Sequence, residues 1–245
     1  MPMAESCLKR PATEGRTILV VGAGRFGARA VRLLGSHPVD ETRILVVDND
    51  EERLSSIEDP AIETFRADGV DFLVEYFAQL HPHDLIVPAV PVHVAAEWLK
   101  KTLSESFRIT PQAIPGGLET ELPNTWRIGE DILLTSYADF LCPEDCGEPE
   151  YCTVSGEKRD VPMRELLKRL KVEGFSVHVV ASAQLAPGLG GYEAEALNTL
   201  KETVISGGHN RKWLVATACN CHGVLSAFEV ALPPLTGTTG VPIRQ

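Results

Sequence analysis

The chain has 245 residues, a formal net charge of −11, 44% hydrophobic residues and 23% charged residues. That length fits one large α/β domain, or a standard domain with a smaller appendage. An acidic balance without a Lys/Arg cluster argues against a nucleic-acid backbone or an anionic membrane as the main partner. No apolar run approaches the roughly 20 residues needed to cross a bilayer.

Residues 1–16 carry charges and a proline but no apolar core of a secretory signal. They are expected to be a flexible lead-in to a cytoplasmic protein. Thr17–Val21 (TILVV) is a continuous apolar run, the pattern of a strand buried on both faces of a parallel sheet. Arg25–Leu34 reads as an amphipathic helix, and Arg43–Val47 as a second buried strand closed by Asp48-Asn49-Asp50. A short helix to about Ile57, a strand Ile62–Arg66, a helix Val70–Leu80 and a strand Asp84–Val90 follow. Val92–Leu103 reads as a helix and Phe107–Ile114 as a weaker fifth strand. Such alternation predicts right-handed βαβ crossovers in a doubly wound, mostly parallel Rossmann-type α/β sheet.

The loop Pro115–Asn124 is the expected seam, dividing a dinucleotide-binding domain (17–115) from a cysteine-rich α/β region (116–245). That region is expected to hold a strand Asp131–Ser136, a helix Pro162–Val172, a strand Phe175–Ala181 and a helix Glu193–Ile205. Two strands, Trp213–Ala218 and Val224–Leu232, precede an irregular tail. Gln184–Tyr192 reads as a glycine-rich loop, either a flexible connection or a place where backbone N–H groups could meet an anion, without the Lys-Ser/Thr of a P-loop.

Gly22-Ala23-Gly24-Arg25-Phe26-Gly27 fits G-x-G-x-x-G directly after a buried strand and at the start of a helix. The first glycine permits the tight turn. The second admits the pyrophosphate, and the third lets helix and strand pack closely. Arg25 and Phe26 lie within the turn, and Arg25 is placed to face the phosphates. Asp48, at the end of the second strand with Asn49 beside it, is placed to accept from a ribose diol, which favours NAD over NADP. His93 follows the fourth strand, on the side where ligands of open α/β sheets bind. It is the candidate acid or base.

GAGRFG, VVDND, Ala67–Asp71 (ADGVD) and Ile86–Val90 (IVPAV) together resemble the TrkA-N or RCK family of Rossmann nucleotide-binding regulators of potassium transport. The resemblance covers about residues 17–105. It implies Asp48 as the ribose acid and Asp68 as the adenine-side acid. Beyond that stretch the chain departs from the family, with no RCK-C pattern and with cysteines foreign to it.

Five of the six cysteines fall in two groups, Cys142-x3-Cys146-x5-Cys152 and Cys219-x-Cys221-His222. A reducing compartment argues against disulfides and for a metal or redox chemistry. Thiolates with one imidazole suit Zn2+ or an iron–sulfur cluster. A metal-free redox thiol set and inert buried cysteines also fit the spacing. Glu144, Asp145, Glu148 and Glu150 flank the first group as a solvated acidic loop. The resulting expectation is an NAD(H)-binding protein with a cysteine-ligated metal or cluster and a redox role, as an oxidoreductase. The alternatives are a nucleotide sensor without catalysis and a zinc-stabilised structural protein whose nucleotide site is vestigial. The expected partners are the nucleotide and a small-molecule or protein redox partner, in a chain that suits a homo-oligomer.

Overall fold

A computed structural model describes residues 15–35 and 42–233. The lead-in through residue 14, with Cys7, and residues 234–245 of the expected tail lie outside the described residues. The first half runs β1 (Thr17–Val21), α1 (Arg25–Gly35), β2 (Arg43–Asp48), α2 (Glu51–Ser55), β3 (Ile62–Arg66), α3 (Gly69–Tyr76), β4 (Leu85–Pro88) and α4 (Val94–Leu103). Then come β5 (Arg108–Pro111), α5 (Leu118–Glu121), β6 (Thr125–Ile128), β7 (Ile132–Ser136), α6 (Met163–Lys168) and β8 (Phe175–Ala181). The chain closes with β9 (Ala183–Ala186), β10 (Leu189–Glu193), α7 (Ala194–Ser206), β11 (Arg211–Ala218) and β12 (His222–Ala231).

β3, β2, β1 and β4 lie side by side and parallel, the order of a mononucleotide-binding Rossmann half. β10 then adds antiparallel to β4, and β9 pairs with β10. The second sheet runs β6-β7-β12-β11-β8, with β5 also on β12. Its pairs are antiparallel except β11 with β8.

Helices α3, α4 and α7 lie between the sheets. Their Phe72, Trp98 and Leu200 share one core with Leu19, Val21 and Ile86 of the first sheet and Trp213, Val215 and Phe228 of the second. Ile18 and Val20 face the opposite side and pack with Ala30 of α1 and Leu54 of α2. The unbroken TILVV run is thus buried on both faces, as its composition requires. Helix α6 covers the outer face of the second sheet through Met163 and Leu167.

The expected loop Pro115–Asn124 contains helix α5, the helix expected over Pro162–Val172 is shorter as α6, and two expectations about the sheets change. Phe107–Ile114 does supply a strand, but β5 joins the second sheet. Gln184–Tyr192 is the β9–β10 hairpin, which covers the otherwise open edge of β4. Each sheet therefore takes strands from both sides of the expected seam at residue 115. Among the described residues, no helix is long and apolar enough to cross a membrane.

Candidate functional site

Gly22 closes the turn after β1 at φ +106°, a left-handed conformation that glycine adopts without strain, and donates to Val47 O at 2.8 Å. The first turn of α1 follows. Its earliest helical bond is Ala28 N to Gly24 O, 2.8 Å. The N–H groups of Gly24 to Gly27 precede that bond, and they form the donor set that a helix start offers to an anion. A β-carbon at Gly24 would meet only Arg53 Nη1 at 3.8 Å, so the turn is open there. A β-carbon at Gly27 would land on the Gly22 carbonyl. The space a pyrophosphate needs and the close packing that makes it belong to different glycines.

Asp48 is buried at the end of β2. Its Oδ2 accepts from Ala23 N at 2.6 Å and its Oδ1 from Asp50 N at 2.9 Å, so the carboxylate braces the turn. Arg53 Nη1 lies 3.7 Å from Asp48 Oδ2, beside the open face of Gly24. Sequence reading missed Arg53. Its only signal was a basic residue five positions past the acid. Asn49 is exposed next to Asp48. Asp68 caps α3, accepting from Val70 N and Asp71 N at 3.0 Å each, and its side chain stays 57% exposed.

Phe26 is exposed and walls a cleft of about 280 Å³ at the end of β4, with Pro88, Val90, Pro91, Gly188 and Leu189. Among the described residues, no titratable side chain lines this cleft. His93 does not line it either. The ring is buried between the sheets, with Nδ1 2.8 Å from Ser226 Oγ and Nε2 2.9 Å from Thr217 Oγ1. Burial, helped by nearby Lys100, lowers its pKa to about 3. Both nitrogens are engaged and the ring stays neutral at ordinary pH, so the expected acid or base serves as a tie from the start of α4 to β11 and β12.

The two cysteine groups converge. Residues 219–221 form the turn between β11 and β12, and the Ala218–Gly223 pair closes it. Cys219 Sγ accepts from the N–H of Cys221 (3.4 Å) and of His222 (3.3 Å), bonds that favour a thiolate. Arg159 Nη1 lies 2.6 Å from Cys221 Sγ. His222 places Nδ1 3.6 Å from Cys219 Sγ and Nε2 3.8 Å from Cys142 Sγ. Burial and then the Glu148 charge push the thiols of Cys219 and Cys221 up to about 12. Burial, and then Cys146, raise Cys142. Cys152 differs. It is buried, and bonds from the Ser155 backbone and hydroxyl and the Val154 backbone bring it down to about 7. All five described cysteines are free thiols.

This thiol cluster adjoins the nucleotide turn. Arg25 at the start of α1 forms an ion pair with Glu144, between Cys142 and Cys146. Cys146 O accepts from Gly188 N at 2.9 Å and from Gln184 Nε2 at 2.8 Å on the β9–β10 hairpin. Arg29 Nη2 reaches Pro187 O at 3.0 Å, fixing that hairpin to α1. Gly188 is left-handed (φ +70°), and a β-carbon on it would meet the Glu144 carbonyl. The cysteine loop therefore sits close against the hairpin tip.

A Rossmann half with an open glycine turn, a braced acid after β2 and a second sheet carrying a thiol–imidazole cluster define the class: a mixed α/β protein whose N-terminal segment is similar to a TrkA-N domain. The TrkA-N family model matches residues 18–91. A second family, described as "Uncharacterized protein, C-terminal domain", matches residues 95–231, over half of the chain. A protein of Archaeoglobus fulgidus, itself described as "Uncharacterized protein", is 30% identical over 227 residues, 87% of this chain and 99% of its own length. The chain belongs to the family that this protein and the C-terminal domain define. No solved structure matches it.

Proposed function

We propose that the protein binds NAD(H) at the Gly22–Gly27 turn and holds a metal between the 142–152 loop and the β11–β12 turn, in a redox role that joins the two. The observation that carries this reading is their contact: Arg25, at the phosphate turn, is paired with Glu144 inside the cysteine loop. The unpaired N–H groups of Gly24 to Gly27 suit a pyrophosphate. The Asp48 carboxylate keeps lone pairs for a ribose diol, and the apolar cleft behind Phe26 suits an aromatic ring. The thiolate and imidazole donors suit a soft or borderline cation such as Zn2+, or an iron–sulfur cluster. A bound nicotinamide supplies a hydride donor or acceptor. The chain itself binds the phosphates, orients the ribose and encloses the ring.

A second reading, a sensor of NAD/NADH without catalysis, is favoured by the cleft's lack of titratable groups and the burial of His93.

The test is an NADH titration followed by fluorescence, with steady-state NADH oxidation measured on the same protein. NADH is expected to bind the wild type. Gly24→Val fills open space, so it should abolish binding while leaving the melting temperature unchanged. Gly27→Ala meets backbone and should cost about 1–3 kcal/mol of stability. Equal NADH affinity in wild type and Gly24→Val would remove the nucleotide assignment. Binding without turnover of any acceptor would decide for the sensor.

A further inference from the structure

Glu148 is absent from the cysteine pattern and yet lies at the centre of the cluster. Its φ of +47° is uncommon for a non-glycine residue, and its side chain is only 14% exposed. The carboxylate accepts from Asn220 N at 3.1 Å and lies 3.9 Å from His222 Nδ1. Glu148, Cys219 and His222 each offer a ligand atom, and these atoms lie within 4.8 Å of one another. Ligands of a tetrahedral zinc, at about 2.0–2.3 Å from the ion, stand about 3.3–3.8 Å apart. Cys219 Sγ and His222 Nδ1, 3.6 Å apart, already have that spacing, and a small rotation brings in the carboxylate.

An imidazole gives a metal one nitrogen, and its orientation is fixed by a partner on the other. Here Nδ1 faces Glu148 and Cys219, while Nε2 faces Cys142 Sγ. Cys221 is held instead by the guanidinium of Arg159, and Cys152 by N–H groups of its own loop.

We propose that Glu148, Cys219 and His222 Nδ1 ligate one zinc-like divalent cation, with Cys142 as a positioning residue on His222 Nε2 and the fourth position left to water or a substrate oxygen. This rests on the metal-binding reading above but changes its chemistry. One oxygen, one sulfur and one nitrogen replace a set of thiolates. Three mixed protein ligands with an open position are the pattern of a catalytic zinc, whereas closed structural sites take four. An iron–sulfur cluster, held mainly by thiolates, does not suit this set.

Cobalt(II), which reports coordination geometry and thiolate number through its visible and charge-transfer bands, is the probe. It is titrated into the metal-free full-length chain and its Glu148→Gln, Glu148→Gly, Cys219→Ser and Cys142→Ser variants. Wild type should bind one equivalent in a tetrahedral-type site with the charge-transfer intensity of one thiolate. Glu148→Gln should weaken binding at least tenfold. Glu148→Gly should do the same while relieving the backbone, so the loss there is not a loss of fold. Cys219→Ser should remove the charge-transfer band, and Cys142→Ser should keep it. Wild-type affinity in both Glu148 variants, or the intensity of three or four thiolates, would overturn this ligand set and leave a thiolate metal site standing. No cobalt uptake by the wild type would overturn this ligand set and the metal-binding reading together.

Discussion

His93 is the residue whose chemistry depends most on where the fold puts it. Its ring is buried between two hydroxyls, and its pKa falls from an ordinary 6.5 to about 3. Between those values the unfolded chain takes up a proton that the folded chain refuses. The stability that His93 contributes is therefore complete above about pH 7. It is lost as pH falls toward 3, with a slope of up to about 1.4 kcal/mol per pH unit. His93→Gln should abolish that part of the acid sensitivity. It should also lower stability at pH 8 by about 1–3 kcal/mol, because a buried hydroxyl loses its partner. Urea unfolding midpoints at pH 5 and pH 8 check both effects. A wild type and variant with parallel pH profiles would contradict the buried neutral ring. The sequence placed His93 correctly, just after β4, but carried no sign that β11 and β12 would close over it. Thr217 and Ser226 lie more than a hundred residues away. Glu148 was hidden for a related reason. In sequence it is one of several acids in a loop, and only the turn of Asn220 and His222 toward it distinguishes it.

At the scale of elements, local pattern was enough wherever burial was two-sided or helical periodicity was clear. TILVV and RILVV, buried on both faces, gave strands β1 and β2, and the partly buried FSVHVVA gave β8, each at or within a residue of the expected bounds. QLAPGLGGY is rich in the residues that mark loops, which hides the β9–β10 hairpin in the sequence. Its pairing to β4 is decided by an open sheet edge, which sequence periodicity does not encode. That pairing has a consequence for truncation. A chain ending at residue 115 keeps β1 to β4 but loses β10, and β4 is left as an exposed edge of buried, apolar residues. It also strips α3 and α4 of their cover from the second sheet. Such a truncated chain is expected to aggregate or to lack a cooperative melt, since bare apolar edges pair with other chains. Size-exclusion chromatography with thermal unfolding tests this. A monomeric fragment with a sharp transition would show that residues 15–115 fold alone.

At the scale of the whole molecule, the nucleotide turn and the cysteine loop meet through charge. Arg25 and Glu144 are both substantially exposed, so their pair should add little to stability, about 0–1 kcal/mol. Its importance is for binding. On the proposed reading, a pyrophosphate arriving at the start of α1 would compete with Glu144 for Arg25 and meet the Glu144 carboxylate at close range. Glu144→Gln should therefore tighten NADH binding several-fold at low salt. The gain should shrink as salt rises and the screening length falls to about 10 Å near 0.1 M. Arg25→Ala should act in the opposite direction, and neither variant should shift the melting temperature by much. Glu144 lies between Cys142 and Cys146 and four residues before Glu148, so a metal that orders this loop also sets where the Glu144 charge sits. Metal and NADH should then influence each other's affinity, and by linkage the factor is the same whichever is bound first. Titrating NADH with and without metal, and metal with and without NADH, measures both sides. Equal affinities in all four titrations, together with no effect of Glu144→Gln at low salt, would mean that the two sites share a surface without sharing energy.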